Sequence, residues 1–170
     1  RSPALAGGGY ELIGPRADIE SLATRAEQLG AVWAGSELYE ILRIEEGFPG
    51  IGSEISDKYI PLEVGLWEAV SFDKGCYIGQ EIIARMESRG KLAKTLIGLR
   101  SDTEMRPGTT LRTQDGDRSG IVTSSIHSPR MGWIGLGLIK PDLCMPGLTV
   151  TAELNGELLP VTVRSLPFGK

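Results

Sequence analysis

The apolar positions change period about halfway along this chain. From Arg16 to Gly30, Ile19, Leu22, Ala23, Ala26 and Leu29 fall on one face, which predicts an amphipathic helix ended by Gly30. Before it, Tyr10-Glu11-Leu12-Ile13 reads as a short strand closed by Gly14-Pro15. After it, Ala31 to Gly35 is a short apolar link or strand. Ser36 then offers an N-cap, with Glu37 in the first turn, to a second helix ending near Gly47, where Phe48-Pro49-Gly50 prevents continuation. Residues 51–57 read as a loop, and Pro61 fixes a turn leading into Leu66 to Val70, where Trp67 is expected in the core. Ile78, Ile82, Ile83 and Met86 return to helical spacing and predict a helix from Gly79 to about Ser88.

Beyond the polar stretch Glu87-Ser88-Arg89-Gly90-Lys91 the pattern alternates. Thr95 to Arg100, Thr110 to Thr113, Ser119 to Ile126, Trp133 to Ile139, Leu148 to Leu154 and Leu158 to Val163 are strand-like, with turn signals at Pro107-Gly108, Asp115-Gly116 and Asn155-Gly156. Short strands at this spacing predict a small closed or nearly closed barrel. The expected class is α+β: a mixed α/β segment over residues 1–90, then an antiparallel β-barrel domain over residues 91–170.

Composition narrows the classes of function. The formal net charge of −4 gives no electrostatic reason to expect nucleic acid, and no Lys/Arg run suggests a membrane surface. No apolar run is long enough to span a bilayer. Two cysteines, Cys76 and Cys144, do not make a disulfide framework, so a reduced compartment is expected: cytoplasm, or an organelle matrix in a eukaryote. One histidine, His127, and two cysteines without zinc spacing leave no metal site to expect. Gly7-Gly8-Gly9 is not a phosphate loop, because no Lys-Ser/Thr follows and the next element is not a helix.

Candidate chemistry centres on Lys74-Gly75-Cys76-Tyr77-Ile78-Gly79-Gln80-Glu81. A thiol near a helix N-terminus and beside a lysine is in a setting that favours thiolate. A free cysteine that merely fills space is the alternative. On the residues alone, Arg43 reads as a salt-bridge partner of Glu40 or Glu46, each three positions away, and Glu11 as a solvent-facing strand residue.

The octapeptide, continued by Ala84-Arg85 and Arg89-Gly90, resembles the signature of the YgfZ-type folate-binding proteins, which take part in assembly or repair of iron–sulfur enzymes. These are cousins of the aminomethyltransferase (T-protein) of the glycine cleavage system. The T-protein has a similar Lys-Gly-x-x-x-Gly-x-Glu stretch but, as a rule, no cysteine at the third position, so Cys76 points to the YgfZ-type branch. Gly9-Tyr10-Glu11 and Leu42-Arg43-Ile44-Glu45-Glu46-Gly47 are similar to T-protein segments in which the glutamate and arginine hold the pterin of tetrahydrofolate.

The resemblance thus implies tetrahydrofolate as cofactor, Glu11 and Arg43 as its ligands, Cys76 as a reactive thiol, and iron–sulfur clients or assembly proteins as partners. It also implies that the chain, which opens on Arg1, is a C-terminal fragment. Two alternatives stand beside this reading. One is an aminomethyltransferase transferring a one-carbon unit to tetrahydrofolate, whose catalytic acid would lie in a segment absent from this chain. The other is a folate-independent structural module. The T-protein pattern Gly-Glu-Asp-Gly is replaced here by Ala6-Gly7-Gly8-Gly9, which counts against ordinary aminomethyl transfer.

Overall fold

A computed structural model describes residues 10–89, 92–154 and 156–169 of the chain. Three helices come first: α1 (Arg16–Gln28), α2 (Ser36–Glu46) and α3 (Gln80–Arg89). Six strands follow: β1 (Thr95–Ser101), β2 (Thr110–Arg112), β3 (Arg118–Ser128), β4 (Gly132–Ile139), β5 (Thr149–Leu154) and β6 (Glu157–Arg164). They close into an antiparallel barrel in the order β1-β4-β3-β2-β5-β6, with β6 pairing back onto β1. The α+β class and the terminal barrel expected from the alternating pattern are both present.

β4 shows how the sequence builds this barrel. Ile134 and Leu136 alternate with Gly135 and Gly137, and all four are buried. The glycines face the barrel interior, where a Cβ at Gly137 would lie 2.6 Å from Leu99 and one at Gly135 3.3 Å from Met105. Leu99 and Met105 belong to the interior cluster with Leu111, Val122, Val150 and Val161. Ile134 and Leu136 instead join a second cluster with Ile44 of α2, flanked by Leu166 and Phe168. One strand therefore serves two cores, Gly135, Gly137 and Ile139 toward the first and Ile134 and Leu136 toward the second.

α2 is the helix that docks. Ile41 and Ile44 are buried, and so, unusually for charged side chains, are Arg43 and Glu45. The helix ends on Gly47, whose φ of +78° suits glycine, and a Cβ there would also lie 2.8 Å from the Leu166 side chain. Gly35 occupies the N-cap position and makes no side-chain cap, so Ser36 is the first helical residue rather than the cap.

The front half differs from expectation in three ways. Residues 10–13 form no strand, because no described segment supplies a pairing partner; the one bridge before β1 joins Ile51 to Ile55. α1 forms as its periodicity requires, but none of its residues is buried. Trp67, expected in the core, is 47% exposed. Asn155 and the glycines at 7–9, with Gly90 and Lys91 of the polar stretch, lie outside the described residues.

Candidate functional site

The densest polar arrangement is built around Arg43, at the seam between α2, the loop after it and β3. Its guanidinium uses every donor it has. Nε donates to Glu40 at 3.1 Å, Nη1 to the Phe48 carbonyl at 2.8 Å and to Glu54 Oε2 at 3.3 Å, and Nη2 to Glu40 Oε2 at 2.6 Å and Ser124 Oγ at 3.1 Å. Five N–H groups meet six acceptor contacts, Nε reaching both Glu40 oxygens, so the planar fork is fully satisfied.

Glu54 is the counter-charge, and it is completely buried. Its Oε2 also accepts from Ser53 Oγ at 2.6 Å and the Gly50 N–H at 2.8 Å, while Oε1 accepts from Ser124 Oγ at 2.7 Å. Burial by itself would raise the Glu54 carboxyl. The hydrogen bonds, led by Ser53, outweigh it and hold the group below its ordinary value of 4.5. Gly50 is required beside this pair, since a Cβ there would lie 2.9 Å from the guanidinium carbon.

A second buried carboxylate fastens the same helix. Glu45 accepts from Ser128 Oγ at 2.6 Å and is bonded by Arg130, while its backbone carbonyl accepts from the Phe168 N–H at 2.8 Å. α2 is thus tied to β3 twice, through Ser124 and through Ser128. Glu40, with 44% of its side chain exposed, brings the Arg43 cluster to solvent. Glu46, the other partner the spacing offered to Arg43, is not among its contacts; Glu54, Ser124 and Phe48 were not foreseeable from local spacing.

Glu11 sits apart from this cluster in contacts. It is exposed, in the irregular segment before α1, and no described hydrogen bond or ion pair engages it.

The cysteine turn is ordered by its helix. The Gln80 carboxamide accepts the Tyr77 N–H at 3.2 Å, and Gly79, at φ +90°, starts α3 by accepting from Ile82 at 3.2 Å. Cys76 is a free, exposed thiol four residues before α3 begins. The ammonium of Lys74 lies 4.6 Å from the centre of the Tyr77 ring, so its charge is engaged by the aromatic face. Cys144 is the opposite kind of thiol. It is half-buried beside Lys140, and burial pushes its pKa up, with the charge of Asp142 adding to the rise against a lowering bond with Thr95. No group of three metal-ligating side chains occurs among the described residues. No described helix is long and apolar enough to cross a membrane.

A closed six-stranded antiparallel barrel with a helix clamped to its β3–β4 face defines an architectural class, and comparison with known proteins places the chain within it. Residues 94–170 match the family model described as the glycine cleavage T-protein C-terminal barrel domain. An aminomethyltransferase from Halothermothrix orenii is 32% identical over 166 residues, covering 94% of this chain and 46% of that protein. A chloroplastic protein from Arabidopsis thaliana, named as a transferase, is 39% identical over 140 residues, covering 82% of this chain and 32% of its own length. Among solved structures, the glycine cleavage system aminomethyltransferase T from Bartonella henselae superposes with a TM-score of 0.74 at 28% identity, over 88% of this chain and 44% of that one.

The chain is related to the glycine cleavage T-protein. It spans about a third to a half of the length of these relatives. These relatives favour the aminomethyltransferase side of the resemblance over the YgfZ-type side to which Cys76 pointed, and they lend no support to iron–sulfur clients. Cys76 and the departure at Ala6-Gly7-Gly8-Gly9 were local signals, and they weigh less than likeness across most of the chain.

Proposed function

We propose that this chain is part of a T-protein-like aminomethyltransferase, a protein that moves a one-carbon unit from a protein-bound aminomethyl group to tetrahydrofolate. The observation that carries this reading is that the likeness to aminomethyltransferases extends through the helical half, not the barrel alone. On this proposal the folate pterin lies against α2. The Glu11 carboxylate, without a partner among the described residues, accepts from the aminopyrimidine edge. Arg43 has no spare donor, so it reaches the ring only by releasing a partner, and Glu40, with 44% of its side chain exposed, is the one to release. Cys76 is the accessible thiol should the site use one.

The test is thermal unfolding of the chain with and without 5-formyltetrahydrofolate. Ligand at about a hundred times its dissociation constant stabilises by roughly 2.7 kcal/mol, which moves the midpoint by several degrees. Glu11→Gln should reduce that shift while leaving the ligand-free midpoint unchanged, because Glu11 is exposed and unengaged. A midpoint that ignores the folate, for the chain and for a full-length homologue of it alike, would remove the folate reading.

A further inference from the structure

We infer that the chain also carries an oxyanion-binding site, for a phosphate or carboxylate group, in the cavity that the start of β3 forms with Lys94 and Lys140. The cavity holds about 320 Å³ and is lined by Lys94, Arg118, Ser119, Gly120 and Lys140 among others, with no carboxylate in its wall. In a chain of net charge −4, three cations around one cavity reverse the local field. Asp117 and Asp142 are close in sequence, but no described ion pair joins either of them to a cation. Arg118 and Lys140 likewise have no ion-pair partner among the described residues, and the Lys94 ammonium rests 5.4 Å from the centre of the Tyr59 ring.

The wall is built rather than incidental. The Lys140 N–H donates to the Ser119 carbonyl at 3.0 Å, which pins the base of the lysine to β3. Gly120 packs so tightly on β4 that a Cβ there would lie 2.2 Å from the Leu138 carbonyl, so this side cannot shift. Ser119 supplies the second kind of observation. It is 3% exposed, and its hydroxyl has no hydrogen-bond partner among the described residues. A buried orphan hydroxyl is costly unless something satisfies it. Ser119 is among the residues that line the cavity, so an occupant there is the partner at hand for its hydroxyl. An oxyanion would accept that hydroxyl and the Arg118 and Lys140 donors together. The site is separate from the Arg43 cluster, since Ser124 lies five residues farther along β3, roughly 16 Å of extended strand.

The test is a backbone-amide NMR titration of the 170-residue chain with inorganic phosphate, ionic strength being held constant with chloride. Saturable shifts confined to residues 93–94, 118–121 and 140 are expected. Arg118→Gln with Lys140→Gln, both at exposed positions, should raise the apparent dissociation constant at least tenfold, and Ser119→Ala severalfold. A parallel titration with tricarballylate distinguishes the sources. Tighter binding of phosphate assigns the site to a phosphorylated ligand, and tighter binding of the tricarboxylate to a carboxylate-bearing one. The inference is overturned if neither anion saturates, if shifts spread over all basic residues alike, or if the double variant titrates like the parent.

Discussion

Arg43 and Glu54 meet at 3.3 Å inside the protein, and Ser124 of β3 bridges them, accepting from the arginine and donating to the glutamate. The bridge makes one polar unit of three segments: a helix, the loop after it and a barrel strand. A charge pair this deep is justified only by complete hydrogen bonding, and here each partner has it.

Arg43→Met keeps most of the side-chain volume and removes the cation, leaving the Glu54 carboxylate buried without its counter-charge. The expected loss is about 3–5 kcal/mol, the scale of breaking one side of a buried pair. Combining it with Glu54→Gln should recover part of that loss. Urea unfolding with an unchanged m-value checks both, and strictly additive losses would show that the two side chains do not act as a unit.

Acid should loosen the same seam. The folded-state carboxyl of Glu54 is held below its ordinary value, so its contribution is fully present above about pH 4.5 and is lost as pH falls through the lower folded value. Glu54→Gln removes that titration. Its unfolding free energy should therefore be lower than the parent's near neutrality and fall less steeply below pH 4.5. Parallel slopes in the two proteins would place the acid sensitivity elsewhere.

The two thiols should separate under alkylation. Cys76 is exposed, whereas Cys144 is half-buried with its pKa raised, so near pH 7.5 iodoacetamide should label Cys76 first. Peptide mass spectrometry of a time course reads the order. Cys76→Ala should change stability by less than about 0.5 kcal/mol, as expected of a surface site.

Gly135→Ala tests the close approach of β4 to β3. The new methyl would lie 2.5 Å from the Ser124 carbonyl, which is backbone and cannot swing aside. A cost of about 1–3 kcal/mol is expected from overpacking, with accompanying shifts in the Ser124 and Glu54 resonances. A neutral substitution would mean that the strands separate there more easily than their pairing suggests.

The barrel was legible because its information is local. Alternation in β1, β3 and β4 and the turn signals between strands each stand within a few residues. α3 was legible for the same reason, through Ile78, Ile82, Ile83 and Met86. The strand expected at residues 10–13 carried a valid local pattern, but a strand exists only with a neighbour, and no described one is present. Trp67 failed on the same ground: an indole reads as core in any sequence, and only the surrounding chain decides. At the site, Arg43 was singled out and its bond to Glu40 was readable at helical spacing. Glu54 was not, since it lies eleven residues on across a loop, and Ser124 lies eighty-one away. A glutamate between Ser53 and Ile55 has no pattern that announces burial. The glycine at position 50 was the available clue, taken only as a helix stop.

Because β6 pairs back onto β1, the sheet has neither a first nor a last strand. Proteins that polymerise or recruit peptides by strand addition need a row of unclaimed backbone N–H and C=O groups, and a closed cylinder offers none. An encounter of the barrel with another polypeptide is therefore expected to run through side chains. Most of the exposed large apolar ones, among them Ile13, Leu29, Val32 and Trp33, stand in the helical half, with Met145 and Leu158 on the barrel. Under heat or crowding, self-association should begin there, with the strand-rich half carried along as its inert passenger.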